Sequence, residues 1–473
     1  MKSNYDVVVV GSGTGGAVLS RFLVERGLSV GLFEKSARDT IHKICGDATS
    51  EVHFNRAAER DPDKQNKIEL PSHHGEVHET MRGFSFITPT GKRYDIPAEG
   101  EGWIIDRAAF TARLIREAED AGVDYFDQTT VRQPIVENHS LVGVNLRTAG
   151  KELRDVRAKV VVDASGMAGI IRRQLNPHET KMDRVIRHYD MASAHRELVN
   201  YNGFEFEKPD HIEIYFDLEN CPGGYFWVFP RGSTSANVGL GIEPRRYPGG
   251  PRKAYDWWVG HLPHFKDYEV VHAGGATVPL RRPIDTLVWN GLVLIGDAGA
   301  CVKATDGGGI GLSLISASQA ASPIAAAIEA DDLSRDGPLW DYNVAFHRQT
   351  SKHEAPLAYA KTEIVKVNNK ILNVVFEDII SPKDLYNLNA GRPIDTSTLT
   401  TLKRVWRGKS ILPFLIRLTK VMKTMDKVKS LYANFPDNYH DFLQWKATLE
   451  YVFQDKKRAA TFYAETGSQP RDV

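Results

Sequence analysis

The chain has 473 residues, enough for two or three domains, and 60 basic residues balance 60 acidic ones, so its formal net charge is zero. This balance excludes the basic surplus that is typical of proteins binding nucleic acid. The three cysteines (Cys45, Cys221 and Cys301) are too few and too widely spaced for a disulfide framework or a metal site. They suit a reducing compartment, and we expect a cytoplasmic protein.

The first element predicted along the chain is a buried strand that ends in a glycine-rich turn. The valines at 7–10 favour a strand covered on both faces, as in a parallel sheet. Gly11 allows the tight turn, Gly13 lets the backbone approach a pyrophosphate, and Gly16 lets the next helix pack on the strand. The helix begins near Gly13 and directs its free N–H groups toward the phosphates. The predicted cofactor-binding residues here are Gly11, Gly13, Thr14, Gly15 and Gly16.

The second strand, 28–33, ends at Glu34 and Lys35, which we also predict to bind the cofactor. Glu34 follows the glycine turn by about 20 residues, where a carboxylate binds an adenosine ribose hydroxyl. An ordinary strand, turn and helix with chance glycines is the alternative interpretation. The acidic residue at the expected distance argues against it.

Two later strands end in similar signals. Residues 160–166 read Val-Val-Val-Asp-Ala-Ser-Gly, and they contribute Ala164 and Gly166 as candidates. Residues 292–298 lead through Asp297 to the run Gly307, Gly308, Gly309 and Ile310, which opens an apolar helix. A simple nicotinamide dehydrogenase does not need this third element. The three signals together therefore predict FAD as the cofactor, held by a Rossmann-type domain of an α/β (α+β) protein.

The predicted domains are discontinuous. We assign residues 1–60, 100–176 and 285–335 to the FAD-binding domain, and 61–99 with 177–284 to a β-sheet substrate domain. Residues 336–473 form a C-terminal helical domain. Alternating residues at 84–88 and 93–96 predict a hairpin, and Asp106-Arg107 precedes an amphipathic helix over 110–122. Arg107 is therefore a candidate contact to FAD or a surface residue at a helix start.

Three local sequences resemble one flavoprotein family. They are Lys43-Ile44-Cys45-Gly46-Asp47, Gly224-Tyr225-Phe226-Trp227-Val228-Phe229-Pro230, and Gly296-Asp297-Ala298 with the glycine run. They resemble the geranylgeranyl reductase family, including the archaeal digeranylgeranylglycerophospholipid reductases, within the p-hydroxybenzoate hydroxylase-like FAD superfamily. The resemblance covers about residues 1–345. This chain departs from it at Ala304-Thr305-Asp306, where relatives often have a proline, which adds an ionisable group near the flavin ring.

The resemblance implies an enzyme that saturates C=C bonds of geranylgeranyl chains, by hydride transfer from N5 of reduced FAD and protonation of the other carbon. The substrates it suggests are archaeal diether phospholipid precursors or geranylgeranyl diphosphate. Strand alternation places Tyr225, Trp227 and Phe229 on one face. The resemblance implies that this face, with Pro230 and Tyr215, lines the prenyl site; packing in a sheet core is the alternative.

The cysteine loop supplies the catalytic candidates Cys45, Gly46 and Asp47, and Lys43 is a further cofactor candidate. A lone cysteine is usually a small buried apolar residue. Beside Lys43, however, its thiol pKa could be lowered, which would make it reactive. Cys45 therefore has both a functional and a structural interpretation.

The C-terminal third contains a basic segment with interleaved apolar residues. Residues 401–430 carry the cations Lys403, Arg404, Arg407, Lys409, Arg417, Lys420, Lys423, Lys427 and Lys429 against the single acid Asp426. A basic helix with an apolar face suits an anionic membrane surface. We therefore expect peripheral attachment to the inner face of the cell membrane, with a packed helix and a solvated basic face as the alternative.

Two other functions fit parts of the sequence. The motif at Tyr225, Trp227, Phe229 and Pro230 is not far from the WxWxIP of flavin halogenases, so an FAD-dependent aromatic hydroxylase or halogenase is the main alternative. An electron-transfer flavoprotein serving a quinone is disfavoured, because scattered cysteines cannot hold an iron–sulfur cluster. No second dinucleotide fingerprint is visible, so the electron donor is either NAD(P)H bound transiently or a ferredoxin-like reductant.

Overall fold

The computed structural model describes residues 1–40, 43–364, 366–389 and 409–453. Its strands are β1 Asn4–Val10, β2 Val30–Phe33, β3 Ala48–Ser50, β4 Val77–Ile87, β5 Arg93–Ile105, β6 Asp124–Phe126, β7 Thr130–Glu137, β8 Ser140–Arg147, β9 Leu153–Asp163, β10 Met191–Tyr201, β11 His211–Tyr215, β12 Tyr225–Pro230, β13 Ser235–Ile242, β14 Tyr268–Pro279, β15 Val288–Trp289 and β16 Leu292–Leu294. Its helices are α1 Thr14–Glu25, α2 Glu51–Glu59, α3 Arg107–Asp120, α4 Pro177–Thr180, α5 Gly250–His261, α6 Ile310–Glu329, α7 Trp340–Phe346, α8 Lys352–Ile364, α9 Asn369–Val374, α10 Pro382–Asn389, α11 Leu412–Ala433 and α12 Tyr439–Phe453.

The first sheet carries the three glycine signals. Its order is β15-β16-β9-β1-β2-β6, with the antiparallel strands β8 and β7 added beside β9. The central pairs are parallel, with Val10 opposite both Phe33 and Asp163. The valines of β1 and β9 at this centre are fully buried, as expected for strands covered on both faces. The predicted Rossmann-type arrangement is confirmed.

The second sheet has the order β14-β10-β13-β12-β11-β4-β5-β3. It is antiparallel except for the pair of β11 and β4. The predicted hairpin is formed by β4 and β5. Two apolar clusters cover opposite faces of this sheet, one around Phe226 and Trp258 and the other around Trp227 and Phe229.

The long helix α6 is the central helix of the molecule, packed against α1, α2 and α7. Among the described helices, it is the one long and apolar enough to cross a membrane by composition. However, 83% of its apolar window is buried inside the protein. It is therefore the core helix of the FAD-binding domain, as the glycine run before it predicts.

The structure differs from the predicted domains where the second sheet meets the first. Segment β3 and the end of β5, which we assigned to the FAD-binding domain, pair with each other in the second sheet. The reason is that β5 continues without a break to Ile105, where the backbone N–H still bonds to Asp47. Within the predicted β-sheet segment 177–284, the structure also contains a helix, α5.

The C-terminal region is helical in the described residues, as predicted. Helix α11 packs along α8 through Val421, Val428 and Tyr432, which are buried. The first part of the basic segment, including Lys403, Arg404 and Arg407, lies outside the described residues.

Candidate active site

The three glycine signals meet at the carboxyl edge of the first sheet. Gly11 lies so close to the end of β9 that an added Cβ would come within 2.6 Å of the Ala164 carbonyl oxygen. An added Cβ on Gly16 would come within 2.0 Å of the Gly11 carbonyl oxygen, so helix α1 packs on β1 only because Gly16 has no side chain. The ends of parallel strands at such an edge are where open α/β sheets bind their ligands.

A cleft opens at this edge. Its lining combines the first turn, the cysteine loop, the start of α3 and the ends of β9 and β16. The lining residues are Gly13, Thr14, Gly15, Gly16, Lys43, Arg107, Ala164, Gly166, Ile295, Gly296, Asp297 and Ser313. Residues from all three sequence signals are thus brought to one cleft, together with Lys43 and Arg107.

Polar groups in this cleft are buried without partners among the described residues. The Arg107 guanidinium donates one bond to the Thr14 hydroxyl at 2.7 Å, but its Nε and Nη1 have no acceptor there. The Oδ1 atom of Asp297 also lacks a donor in the described part of the chain. Because a buried polar atom without a hydrogen-bond partner is costly, these free N–H groups and this free carboxylate oxygen indicate a ligand with both anionic and hydroxyl groups.

The backbone of the cleft fits the same ligand. Added Cβ atoms at Gly13 and Gly166 would meet nothing within 4 Å, so both positions leave room for a ligand at the backbone. Gly13 also precedes α1 without a side-chain cap, so the first N–H groups of that helix point into the cleft. This combination suits the pyrophosphate and the ribityl hydroxyls of FAD.

Glu34 and Lys35 lie beside the first turn. The Glu34 carboxylate accepts hydrogen bonds from the backbone N–H of Ser12 at 3.1 Å and of Ser36 at 3.0 Å. It is therefore held at the end of β2 next to the glycine turn, in the place predicted for a ribose contact. Lys35 is exposed beside it. Their contacts to the cofactor stay predictions.

The third glycine run lies at the start of α6. Gly309 is the residue before this helix, again without a side-chain cap, and an added Cβ there would lie 3.3 Å from Asp297 Oδ1. Gly307 has a φ of +77°, and the Gly308 N–H donates to Asp306 at 2.7 Å. The loop before α6 is thus ordered by Asp306.

The cysteine loop, residues 43–47, joins the cleft to the second sheet. Lys43 Nζ lies 3.4 Å from Asp297 Oδ2, on the cleft side. On the sheet side, an added Cβ at Gly46 would lie 2.8 Å from the Phe229 ring, so Gly46 rests directly on the aromatic face. One short segment therefore contacts both the predicted flavin site and the predicted prenyl site.

Asp47 is held at the end of this loop by side chains from the second sheet. Asn237 Nδ2 donates to Asp47 Oδ2 and to the Cys45 carbonyl oxygen, each at 2.8 Å. Arg196 lies 3.6 Å from the same carboxylate. The backbone of Asp47 has a φ of +63°, so the loop adopts a left-handed turn here.

The pKa of the Cys45 thiol differs from the lowered value that the sequence suggested. Desolvation raises the pKa of the Cys45 thiol, and the negative charge of Asp47 raises it further. Lys43 lowers the thiol pKa but is outweighed, so the expectation of a thiol pKa below its ordinary value is wrong. Burial also raises the pKa of Asp47 to about 6, against the opposing charges of Arg196 and Arg107. Asp47 is thus a carboxyl group that keeps its proton up to about pH 6, well above the ordinary range of an aspartic acid.

The aromatic face is arranged as strand alternation predicts. Tyr225, Trp227 and Phe229 form a row with successive ring centroids 6.0 Å apart. Trp227 and Phe229 are buried with Met81, Ile104 and Ile212, and Tyr225 is half-buried, its hydroxyl bonded to the Asp306 carbonyl at 2.7 Å. Pro230 ends the strand on the opposite face, paired with Ala236 of the cluster around Phe226, so it is removed from this row. A role of the row in lining a prenyl site stays a prediction.

Tyr215 does not belong to this face. Its ring packs on Phe226 and Trp258 in the cluster on the opposite side of the sheet, and its hydroxyl donates to Glu213. The correction follows from register: Tyr215 is paired with Phe226, and paired residues share a face. Tyr215 is therefore removed from the substrate candidates.

Several site residues were not found from the sequence. Asn237 and Arg196 contact the cysteine loop, and Ser313 and Ile295 line the cleft. His53 packs against Gly311 at the start of α6, and its burial lowers the pKa of its imidazole to about 4, so it is neutral at pH 7. The sequence signal that could have pointed to this part of β13 was Gly239. Because Gly239 has no side chain, the Trp227 ring packs there, and an added Cβ would lie 2.5 Å from Trp227 Cζ2.

The fold and the cleft define an FAD-binding flavoprotein, and comparison with known proteins agrees with this class. Residues 190–278 match the model of the geranylgeranyl reductase catalytic domain. The digeranylgeranylglycerophospholipid reductase of Sulfolobus acidocaldarius is 32% identical over 95% of this chain and 98% of its own length.

Two solved structures share the fold. A geranylgeranyl bacteriochlorophyll reductase-like protein from Thermoplasma acidophilum superimposes with a TM-score of 0.71 at 22% identity, over 89% of this chain and 99% of its own. The myxobacterial chondrochloren halogenase, which is FAD-dependent, has a TM-score of 0.62 at 19% identity, over 91% and 97% of the two chains. At such identities these likenesses establish the fold alone.

The sequence relationship decides between the two chemistries. The chain belongs to the geranylgeranyl reductase family, among the digeranylgeranylglycerophospholipid reductases. FAD is its cofactor, as the three glycine signals predicted.

Proposed function

We propose that this protein saturates C=C bonds of geranylgeranyl chains, with archaeal diether phospholipid precursors preferred over geranylgeranyl diphosphate. The relatives named as digeranylgeranylglycerophospholipid reductases support the class of substrate. The observation that carries the proposal is the position of residues 43–47. This loop touches Asp297 in the flavin cleft at one end and Phe229 on the aromatic face at the other.

Reduced FAD supplies a hydride for one alkene carbon, a proton adds to the other carbon, and each double bond consumes two electrons. An isolated alkene has no polar group for the protein to bind. The residues of the chain therefore contribute mainly by orienting the prenyl chain and by excluding water. Trp227, Phe229 and their neighbours Met81, Ile104 and Ile212 provide an apolar surface for this purpose.

Asp47 is the proposed source of the proton. It is buried beside the cysteine loop, its Oδ1 atom has no partner among the described residues, and its pKa is raised to about 6. A carboxyl group in this condition can hold a proton and release it to a neighbouring carbon centre. Cys45 has a raised thiol pKa, and its carbonyl oxygen is bound by Arg196 and Asn237; we assign it to shaping the site rather than to acting as a thiolate.

The oxidised flavin must regain two electrons. We propose that NAD(P)H supplies them together as a hydride, or that a ferredoxin-like reductant supplies them one at a time in two successive transfers. The two donors are distinguished by anaerobic bleaching of the flavin absorbance when each is added separately to the oxidised enzyme. Reduction by one donor alone would identify its class.

We further propose that α11 holds the protein to an anionic membrane surface, on the cytoplasmic side. Leu412, Ile416 and Met422 are exposed on this helix, and exposed Lys420 and Lys423 lie among them. The opposite side of the helix packs on α8. Exposed apolar side chains beside cations suit the interface of an anionic bilayer, where each lysine contributes about 1 kcal/mol.

Vesicle sedimentation tests the membrane proposal. We expect the protein to sediment with vesicles containing phosphatidylglycerol and not with pure phosphatidylcholine, and Lys420→Glu with Lys423→Glu should abolish the difference. The matched control is Lys151→Glu with Lys266→Glu, at two exposed positions away from α11. Equal sedimentation with both kinds of vesicle, or with neither, would refute membrane docking.

Mass spectrometry after anaerobic incubation tests the proposed reaction. Dithionite-reduced enzyme is mixed with geranylgeranylated diether phospholipid and, separately, with geranylgeranyl diphosphate. We expect stepwise gain of two hydrogens per double bond, faster for the phospholipid. Unchanged lipid with reduced, bound FAD would refute the reaction and direct attention to oxygen-dependent assays on aromatic substrates.

A further inference from the structure

The cysteine loop lies across four neighbouring strands of the second sheet, each of which contributes one contact. Ile44 rests on Gly274 of β14, where an added Cβ would be 2.5 Å from the Ile44 side chain. Arg196 of β10 and Asn237 of β13 both donate to the Cys45 carbonyl oxygen, at 3.2 and 2.8 Å. Gly46 rests on Phe229 of β12. The loop that faces the flavin cleft is thus supported along its length by the sheet.

Asn237 connects this loop to the aromatic face through both ends of its amide. Its Oδ1 accepts a hydrogen bond from the Trp227 indole at 3.0 Å. Its Nδ2 donates to the Cys45 carbonyl and to Asp47 Oδ2, both at 2.8 Å. Asn237 itself is fully buried, so these three bonds use the amide without competition from water.

The pairing of β12 with β13 brings Asn237 and Trp227 together. Asn237 is paired across the strands with Phe229, and Trp227 is paired with Gly239. The absence of a side chain at Gly239 lets the Trp227 ring lie over β13, from where its N–H reaches back to Asn237. The ring that is predicted to contact the prenyl chain is therefore hydrogen-bonded, through one amide, to the loop beside the flavin cleft.

We propose that Asn237 is a positioning residue that couples Trp227 to the loop Cys45-Gly46-Asp47, with Arg196 as a second support for the same loop. This inference rests on the proposed function, which supplies the reaction that the loop serves. A prenyl chain packed against the Trp227 ring fixes the indole, the indole fixes the amide of Asn237, and the amide fixes the Asp47 carboxyl group. Each double bond of a long chain must be presented to the same carboxyl, so loss of this connection leaves partly reduced products.

Asn237→Asp is the informative variant. It keeps the size of the side chain and the acceptor for Trp227, but the ionised carboxylate cannot donate to Cys45 or Asp47. We expect FAD to stay bound, the rate of complete reduction to fall at least tenfold, and partly reduced lipids to accumulate. Lowering the pH should restore part of the rate relative to the wild type at the same pH, because the protonated carboxylic acid can donate one hydrogen bond. A merely structural role predicts no such rescue. Asn200→Asp, at an exposed position on β10, is the matched control.

A double-mutant cycle with Trp227→Phe tests the coupling itself. This variant keeps an aromatic ring on the face and removes the N–H that donates to Asn237, together with part of the indole over Gly239. If the two residues act through their shared bond, the combined loss of rate in the double variant is smaller than the product of the single losses. Multiplicative losses, or a wild-type product distribution in Asn237→Asp, would overturn the proposal.

Hydrogen exchange of the amides at 43–47 in the FAD-loaded protein separates this inference from the proposed function. We expect faster exchange in Asn237→Asp than in the wild type, whether or not prenyl lipid is the substrate. Unchanged exchange at the loop would overturn the positioning role even if the wild type reduces prenyl lipid. If the wild type reduces no prenyl lipid but Asn237→Asp exchanges faster, the proposed function fails and the positioning role stands.

Discussion

Gly46 is the single residue through which the cysteine loop rests on the aromatic face. An added Cβ there would lie 2.8 Å from Phe229 Cε2 and 3.2 Å from Cδ2, closer than ordinary van der Waals contact. Phe229 is buried and packs beside Trp227, so its ring has little freedom to move away. The size of residue 46 therefore sets the distance between the loop and the sheet.

We predict that Gly46→Ala destabilises the protein by about 1–3 kcal/mol, the usual cost of overpacking a buried contact. It should also lower prenyl reduction, because the loop is displaced from the sheet. Thermal unfolding of the FAD-loaded protein measures the first effect. Gly260→Ala is the control, since an added Cβ there meets nothing within 4 Å. An equal melting temperature for Gly46→Ala and the wild type would contradict the packing that we describe.

The raised pKa of Asp47 leads to a prediction about how the rate of reduction depends on pH. Burial raises the pKa of its carboxyl group to about 6, so the proton is present below that pH and is lost as the pH rises through it. If Asp47 supplies the proton, single-turnover reduction by pre-reduced enzyme should slow about tenfold for each pH unit above 6. Asp47→Asn should be slower by about 10²–10⁴-fold and should lose this dependence.

The comparison is made with dithionite-reduced enzyme, so that the pH dependence of the electron donor does not enter. A variant Asp47→Asn that retained the wild-type pH profile would exclude Asp47 as the proton source. The Cys45 thiol would then be the next group to test, by Cys45→Ser under the same conditions.

Residue roles that depend on local spacing could be predicted from the sequence, and those that depend on tertiary contacts could not. The positions of Gly11 and Gly16 follow from the strand, turn and helix alone, and the structure gives them the predicted packing. Asn237 lies 192 residues from Cys45 in sequence, so nothing local indicates their hydrogen bond. The thiol pKa of Cys45 depends in the same way more on burial and on Asp47 than on its neighbour Lys43.

At the scale of elements, α12 is attached to the FAD-binding domain by a buried ion cluster. Asp285 accepts two hydrogen bonds from Arg282, at 3.0 and 3.1 Å, and lies 2.5 Å from Lys446 of α12. Burial alone would raise the pKa of Asp285, but the charges of Arg282 and Lys446 outweigh it and hold the pKa below its ordinary value. The C-terminal helices are thus joined to the loop that precedes β15.

We predict that Asp285→Asn destabilises the protein by about 3 kcal/mol, because it removes the buried carboxylate that pairs with Arg282 and Lys446, although Lys446 retains Glu450 at 3.2 Å. Lys446→Met should cost less, since Arg282 still pairs with Asp285. Urea unfolding at pH 7 measures both, with the exposed Lys423→Met as control. A lowered carboxyl pKa contributes its full stabilisation above the unfolded-state pKa of about 4 and loses it progressively at lower pH. The difference in stability between Asp285→Asn and the wild type should therefore shrink as the pH falls below about 4. Equal stability of Asp285→Asn and wild type at pH 7 would contradict this attachment.

Most elements could be predicted because their signals are local. The hairpin of β4 and β5, helix α3 capped by Asp106, and the glycine run before α6 all occur where the sequence indicates. Helix α5 was missed because its aromatic residues, Tyr255, Trp257 and Trp258, resemble those of the neighbouring strands. The pair Gly249-Gly250 followed by Pro251 was the helix-start signal that could have identified it.

Tyr215 shows the limit of predicting faces between strands. Alternation within β12 correctly grouped Tyr225, Trp227 and Phe229. However, the face of Tyr215 on β11 depends on the register between β11 and β12. In that register Tyr215 is paired with Phe226 and shares its face. A shift of one residue would have placed Tyr215 on the other face. The sequence of one strand does not determine that shift.

On the scale of the whole molecule, two sheets meet along the cysteine loop. The first sheet holds the flavin cleft at the ends of β1, β9 and β16, and the second presents its aromatic face on β12. The chain passes between the sheets several times, so their contact surface is composed of segments far apart in sequence. The two-part architecture could be predicted from the motifs. The borders could not, because β3 and β5 continue the second sheet up to the edge of the cleft.

The central claim is that electrons pass from the flavin held in this cleft to prenyl double bonds. The most direct test is anaerobic titration of the reduced enzyme while the flavin absorbance is recorded. Geranylgeranylated diether phospholipid should reoxidise the flavin, with one FAD oxidised for each two hydrogens gained by the lipid. The fully saturated form of the same phospholipid should leave the flavin reduced. Flavin that stays reduced with the unsaturated lipid, or is reoxidised equally by both lipids, would contradict the account.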